Sequence, residues 1–172
     1  MKHLRLILLL FLLVTSSANV FSQSNNCNTL EPICTDAGLS FTAQTGVNDA
    51  FITNPGNSLN CLGDGPNPTW YYIEVATAGD IIMDLSAGSD IDFALWGPFS
   101  SLADAQGNCN SYGAVVPNTN CVDEYFLGIY IGTTCEAEGC SYDFSATETP
   151  GIPNAQVGEV YVLLITNYAS VS

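Results

Sequence analysis

The chain has 172 residues, 47% of them apolar, and a formal net charge of −15. Its only basic side chains, Lys2, His3 and Arg5, lie within the first 22 residues, while all 17 acidic residues follow, so the remainder carries a formal charge of −17. Beyond residue 22 this excludes nucleophilic sites that need a His or Lys base, and a cationic surface for nucleic-acid phosphates. We therefore expect a noncatalytic protein with no nucleic-acid partner.

Residues 1–22 have the pattern of a secretion signal peptide. Lys2 and Arg5 precede the apolar run 6–14, and small polar residues lead to a cleavage site after Ser22. The run is nine residues long, whereas about 20 are needed to span a bilayer. We expect a secreted or cell-surface protein without a transmembrane span, an uncleaved anchor being the alternative interpretation.

Short apolar runs separated by Gly, Pro, Asn, Ser and Thr predict an all-β fold of one domain. The segment 69–76 is expected to pair antiparallel with 79–85, and 160–166, apolar on both faces, to be a central strand. A hairpin or loop excursion is predicted over 122–131. The remaining strands are predicted at 39–43, 80–85, 90–96 and 142–146.

Seven cysteines fit an oxidising compartment, where disulfides persist. A zinc site is the competing interpretation, but the chain has no CxxC pair and no His beyond residue 22. An odd number leaves one thiol without a partner in the chain. The cysteines are Cys27, Cys34, Cys61, Cys109, Cys121, Cys135 and Cys140.

Three motifs in this order resemble one protein family. They are Cys61-Leu62 followed by Pro66-Asn67-Pro68-Thr69-Trp70-Tyr71-Tyr72, the string from Asp90-Ile91-Asp92-Phe93 to Trp96-Gly97-Pro98-Phe99, and the segment from Gly158 to Tyr168. Together they resemble the N-terminal β-sandwich of large secreted surface proteins of the Bacteroidota, many of which carry adhesion or gliding-motility-associated domains. That sandwich is similar to bacterial pre-peptidase C-terminal domains, which are noncatalytic jelly rolls.

The resemblance implies a jelly-roll-like antiparallel β-sandwich over residues 39–172, preceded by a disulfide-bearing segment 23–38. Residues 118–139 are expected to be an insertion. The family continues into a further strand and a late Cys, so the chain is expected to be truncated after Ser172, with further domains of the same polypeptide as partners.

The resemblance also implies a disulfide pattern. It pairs Cys34 with Cys61 and Cys109 with Cys140. Cys121 and Cys135 would then staple the insertion, and Cys27 would remain unpaired.

Asp84, Asp90 and Asp92 form the densest carboxylate group near a strand entry. Oxygen ligands at short spacing suit Ca²⁺, which takes 6–8 of them. In the alternative interpretation, Asp90 accepts backbone N–H bonds in a turn and Asp92 is held by hydroxyls or amides. Other acids, at Glu124 and at Glu136 and Glu138, are interpreted as solvated loop charge.

Aromatic residues form the candidate ligand platform. Strand alternation places Trp70 and Tyr72 on the face opposite Tyr71, and Trp96 with Asp92 on the more polar face of its own strand. If the two faces coincide, Trp70, Tyr72 and Trp96 could stack on sugar rings. The alternative is that both Trp side chains are core packing.

Three functions follow from these observations. The first is a noncatalytic structural or adhesive module of an exported protein, which contacts cell-surface components. The second is a carbohydrate-binding module whose glycan ligands stack on the aromatic residues, with or without Ca²⁺. The third is an accessory domain of a secreted hydrolase. Buried Trp70 and Trp96 favour the first function, and exposed ones favour the second.

Overall fold

The computed structural model describes residues 23–33, 44–119 and 121–168, and these residues form an all-β fold with short helices. The predicted signal peptide and the predicted strand 39–43 lie outside them. A 3₁₀ turn spans Cys27–Thr29, and the helices are α1 (Ala50–Thr53) and α2 (Leu102–Gly107). The strands are β1 (Glu31–Pro32), β2 (Thr69–Glu74), β3 (Gly79–Ile82), β4 (Leu85–Ser86), β5 (Ile91–Phe99), β6 (Val122–Phe126), β7 (Ile129–Thr134), β8 (Cys140–Ser141), β9 (Thr147–Glu148), β10 (Gly151–Ala155) and β11 (Val160–Asn167).

The main sheet has the strand order β1-β2-β11-β5-β8. Strand β11 pairs antiparallel with β2 on one side, where Leu163 faces Tyr71, and with β5 on the other, where Leu163 faces Leu95. Seven of its eight residues are buried. The prediction of a central strand over 160–166 is therefore confirmed.

The predicted pairing of 69–76 with 79–85 is wrong. Both edges of β2 are occupied, by β1 in parallel and by β11 antiparallel. Strand β3 pairs instead with β10, and β4 pairs with β9. Local alternation identified the strands, but the long-range partner β11 had the larger apolar surface to bury against β2.

Side chains pack on both faces of the main sheet, and the predicted faces are confirmed. Tyr71, Ile73, Phe93 and Leu95 belong to one buried cluster, which Ile152 of β10 also joins. The opposite face carries Trp70, Ala94, Trp96 and Leu164, covered by residues from the 3₁₀ turn, α1, α2 and the loop 54–68. Burial on two sides explains why the central strands are apolar throughout.

Short polar caps hold the two helices at the edge of this layer. The Asp49 carboxylate accepts a hydrogen bond from the Phe51 amide at 2.8 Å and a second from the Gly65 amide at 2.9 Å. The Ser101 hydroxyl accepts from the Asp104 amide at 3.1 Å. These bonds satisfy free amides at the helix starts and fix the loops that cover the sheet.

Three disulfides lie within the described residues, and two of them correct the expected pattern. Cys27 bonds to Cys109 and Cys61 bonds to Cys140, with Cα–Cα distances of 5.4 and 6.1 Å. Thus Cys27 is not the unpaired thiol, and the expected pairs Cys34–Cys61 and Cys109–Cys140 are wrong. The reason is topological: the 3₁₀ turn packs against α2, which brings Cys27 beside Cys109. Cys34 lies outside the described residues.

The hairpin predicted over 122–131 is confirmed, as β6 and β7. The predicted bond between Cys121 and Cys135 is also present and closes the base of the hairpin. Leu127 and Gly128 connect the strands and both have positive φ, 49° and 78°. Such a two-residue connection matches the right-handed twist of the paired strands.

Among the described residues, no helix has the length and apolar character needed to cross a membrane.

Candidate functional site

The candidate platform does not form a binding surface. Trp70 and Trp96 do share one face, as predicted, and their rings stack with centroids 5.7 Å apart. However, they are 0% and 1% exposed, and Tyr112 packs against both. Tyr72 is half-buried against the same cluster. The packing interpretation was therefore correct for both Trp residues, and a sugar ring could not reach them.

The candidate calcium ligands are not brought together. Asp84 lines a cleft of about 200 Å³ beside Tyr71, whereas Asp90 and Asp92 line a different cleft. In the described part of the chain, no group of three or more Asp, Glu, Cys or His residues could hold a metal ion. The three carboxylates therefore do not form the predicted Ca²⁺ site.

Asp90 and Asp92 instead hold a loop that follows β8. The Asp92 Oδ1 accepts a hydrogen bond from the Asp143 amide, and the Asp90 Oδ1 accepts one from the Ser145 amide, both at 2.9 Å. The backbone adds a third bond, from the Ile91 amide to the Ser145 carbonyl at 2.9 Å. Carboxylates are strong acceptors for backbone amides, so these two residues fix the loop against β5.

This geometry shows why the predicted strand 142–146 is wrong. Strand β8 ends at Ser141, and the next residues turn away from the sheet. The Asp143 Oδ1 accepts from the Phe144 amide at 2.8 Å, which is a local side-chain bond typical of a turn. Side-chain acceptors replace the ladder partners that a strand would have used.

The turn presents aromatic side chains to solvent. Tyr142 is 49% exposed and Phe144 is 96% exposed. The Tyr142 ring meets the Tyr168 ring edge-on, with centroids 5.8 Å apart. These rings and Phe144 line a cleft together with three carboxylates, and we call it the aromatic–acid cleft. Its volume is about 150 Å³, and it is lined by Asp90, Asp92, Tyr142, Asp143, Phe144 and Tyr168.

Asp64 anchors the two tyrosines of this cleft. The Tyr142 hydroxyl donates to its Oδ1 at 3.3 Å, and the Tyr168 hydroxyl lies against both its carbonyl oxygen, at 2.9 Å, and its Oδ1. Burial and the bond to Asp64 raise the pKa of Tyr168. Gly63 allows the Tyr142 ring to approach the backbone, because a Cβ there would come within 2.8 Å of the Tyr142 hydroxyl.

Two acids in this region are buried. Asp92 is 3% exposed and Glu148, on β9, is 8% exposed. Burial raises the pKa of Asp92 to about 6, and repulsion from Asp90, Asp64 and Asp143 adds to that rise, although the Asp143 amide opposes it. Burial raises the pKa of Glu148 to about 7, with a hydrogen bond from Ser141 opposing and repulsion from neighbouring acids adding. No Lys, Arg or His lies in the described residues to compensate either charge.

Glu148 also lines a second acidic cleft, of about 250 Å³. Its Oε1 has no hydrogen-bond partner among the described residues. Hydroxyl and carboxyl groups line this cleft, from Glu136, Glu138, Ser141, Asp143, Ser145, Thr147, Glu148 and Thr149. Asp143 lines both acidic clefts, so the two clefts adjoin at this residue.

Sequence reasoning missed the residues that matter most here, namely Asp64, Tyr142, Asp143, Phe144 and Tyr168. One signal could have found part of the set. Tyr142-Asp143-Phe144 places an acidic residue between two aromatic residues, immediately after Gly139-Cys140-Ser141. A strand carrying Asp between two large aromatics is less favourable than a turn, since Asp favours turns.

No family model matches the chain, and no curated protein or solved structure matches it either. The resemblance to surface proteins of the Bacteroidota is not tested by these comparisons and stays a prediction.

Proposed function

We propose that this chain is a noncatalytic structural and adhesive module of an exported protein, a disulfide-stapled β-sandwich that meets its partner through the aromatic–acid cleft. One observation carries the proposal. Trp70 and Trp96 of the main sheet are used for packing, whereas Tyr142 and Phe144 on a loop are exposed beside a group of carboxylates. Exposed aromatics with fixed polar neighbours are typical of binding surfaces rather than of structural packing.

The disulfide bonds support a role outside the cytoplasm. Disulfides Cys27–Cys109 and Cys61–Cys140 each close a loop of about 80 residues, and such bonds persist in oxidising compartments. Together with the signal-like residues 1–22, they support export and cleavage after Ser22. The high negative charge supports solubility of an exposed module.

A carbohydrate-binding module is the second candidate, with a different site from the one expected. Trp70 and Trp96 are buried, so sugar rings would have to stack on Tyr142 or Phe144 instead. The carboxylates around these rings could accept hydrogen bonds from sugar hydroxyls. The exposure of Phe144 is the observation that favours this alternative.

An adhesion assay separates the two functions. The full chain is expressed in an exporting host, and the secreted protein, expected to begin at Gln23, is coupled to beads. Retention is then measured on a glycoprotein surface, on the same protein after enzymatic removal of its glycans, and on albumin. Beads carrying the reduced and alkylated chain are the matched control, because they present the same composition without the fold.

We expect retention on the protein surface that does not depend on its glycans and that is lost after reduction. Retention only on the glycosylated surface would favour the carbohydrate-binding function. Retention no greater than that of the reduced chain on every surface would contradict both adhesive functions.

A further inference from the structure

The geometry points to the ligand class of the aromatic–acid cleft, and we propose that it binds a primary alkylammonium group, the group carried by a lysine side chain. The proposal rests on the proposed function, since it assumes that this cleft is where the module meets its partner. It adds the chemistry that the partner must present.

The aromatic side of the cleft suits a cation. A cation over an aromatic ring face is attracted by the negative π-face, and the interaction strengthens as water is excluded. Asp64 holds the hydroxyls of Tyr142 and Tyr168, so their rings are already in place before a ligand arrives. Phe144, at 96% exposure, contributes little to packing, so its ring is available for a ligand.

The acidic side of the cleft has unused acceptors. Asp90, Asp92 and Asp143 each accept one loop amide through Oδ1. In the described part of the chain, their Oδ2 atoms have no donor. A primary ammonium carries three N–H donors and could bond to two of these oxygens. The cleft thus combines carboxylate acceptors with aromatic rings in one lining.

The charge balance favours a cation from outside the described residues. Asp92 is 3% exposed and is repelled by three neighbouring carboxylates, those of Asp90, Asp64 and Asp143. All basic residues of the sequence lie in its first five positions, so no side chain beyond them can neutralise this group. An ammonium ion in the cleft would attract each of these carboxylates and so offset the repulsion between them.

Two other ligand classes fit less well. A metal ion needs several converging oxygen ligands, and no group of three acidic residues in the described ranges could hold one. A neutral sugar could stack on the rings but would leave the buried carboxylate charge uncompensated. An alkylammonium group satisfies both walls, because its carbon chain lies along the rings and its charge meets the acids.

The test is a titration of the secreted, oxidised chain with Nα-acetyl-lysine methylamide. Binding is monitored through the NMR chemical shifts of the Tyr142, Phe144 and Tyr168 rings. Nα-acetyl-norleucine methylamide is the matched ligand, since it keeps the carbon chain and lacks the ammonium. We expect saturable binding of the lysine compound in the millimolar range and at least about tenfold weaker binding of the norleucine compound. The affinity should fall with added NaCl.

Two variants locate the binding site. Phe144→Ala and Asp143→Asn should each weaken lysine binding by about 3- to 10-fold, the range of one cation–π or one partly exposed charged contact. Leu127→Ala removes another highly exposed apolar side chain elsewhere, and Glu74→Gln removes an exposed charge from β2. Neither control should change the affinity. Circular dichroism of each variant checks that the fold is retained.

Further ligands distinguish the sources of the ammonium group. Equal binding of n-butylamine and the lysine compound would indicate that a free amine suffices, whereas tighter binding of a lysine-containing peptide would indicate a protein partner. Equal binding of lysine and norleucine compounds, no binding of either, or binding of methyl glucoside alone would overturn the proposal. Bead adhesion that persists in Phe144→Ala would keep the adhesive function but remove this cleft from it.

Discussion

The two aromatic groups of this molecule have opposite environments. In the main sheet, Trp70 and Trp96 stack on each other and are almost fully buried. On the loop after β8, Phe144 is 96% exposed and Tyr142 is half-exposed. The difference follows from what covers each group. Helices and loops, with Tyr112 among their side chains, pack over Trp70 and Trp96, whereas the turn that carries Tyr142 and Phe144 lies at the surface.

The same comparison holds for the acids. Acids such as Asp64, Glu74 and Asp84 are exposed, so water screens them, but Asp92 and Glu148 are buried beside other carboxylates with no cation in the described residues. Buried and unpaired charge is costly, and sequences keep it mainly where function requires it. Asp92 on β5 and Glu148 on β9 therefore lower stability, whereas the buried apolar residues of the main sheet raise it.

The largest expected effect on stability comes from truncating one aromatic side chain in each region to alanine. Trp96→Ala should lower the free energy of unfolding by about 3–5 kcal/mol, because it removes a fully buried side chain and leaves a cavity. Phe144→Ala should change it by less than about 0.5 kcal/mol, because the side chain has almost no packing contacts to lose. Urea denaturation of both variants measures the contrast, and similar losses in the two would contradict it.

A second prediction concerns the pH dependence of stability. The pKa of Asp92 is about 6 in the folded chain against an ordinary value of 3.8, and that of Glu148 is about 7 against 4.5. The folded state therefore binds more protons than the unfolded state between about pH 4 and pH 7. Stability from these two groups is fully present below pH 4 and is lost as pH rises through 6 and 7.

Asp92→Asn and Glu148→Gln test this sign. Between pH 4 and pH 7, the unfolding free energy of each variant should fall by on the order of 2 kcal/mol less than that of the unsubstituted chain. The amide of Asn can still accept the bond from the Asp143 backbone, so the loop contact is kept. Glu74→Gln, at an exposed carboxylate on β2, is the control and should leave the decline unchanged. A decline that persists in both buried variants would show that other groups cause it.

The sequence predicts the sheet better than it predicts the site. Alternation along 69–76 and 90–96 gave the correct faces, because successive side chains of a strand point to opposite faces of the sheet. The disulfide partners of Cys27 and Cys61 could not be read in this way, since they depend on which loops meet across the sheet. The sequence predicts a strand at Asp143, but the hydrogen bonds that its loop donates to Asp90 and Asp92, about 50 residues earlier, decide the path of the chain there.

The smallest expected effect on stability comes from a substitution in the β6–β7 hairpin. This region adds another exposed apolar residue to the comparison of packed and exposed side chains. Leu127 is 87% exposed and has a φ of 49°, a conformation that costs a leucine energy and that asparagine adopts readily. Leu127→Asn should therefore stabilise the hairpin by about 0.5 kcal/mol, measured as slower amide hydrogen exchange in β6 and β7. Leu127→Ala removes the same apolar surface without the conformational gain, so it should show no such slowing. Faster exchange in the Asn variant would mean that the leucine packs against the hairpin despite its exposure. Slower exchange in the Asn variant would show that the Leu127 side chain, like that of Phe144, is exposed and does not contribute to stability.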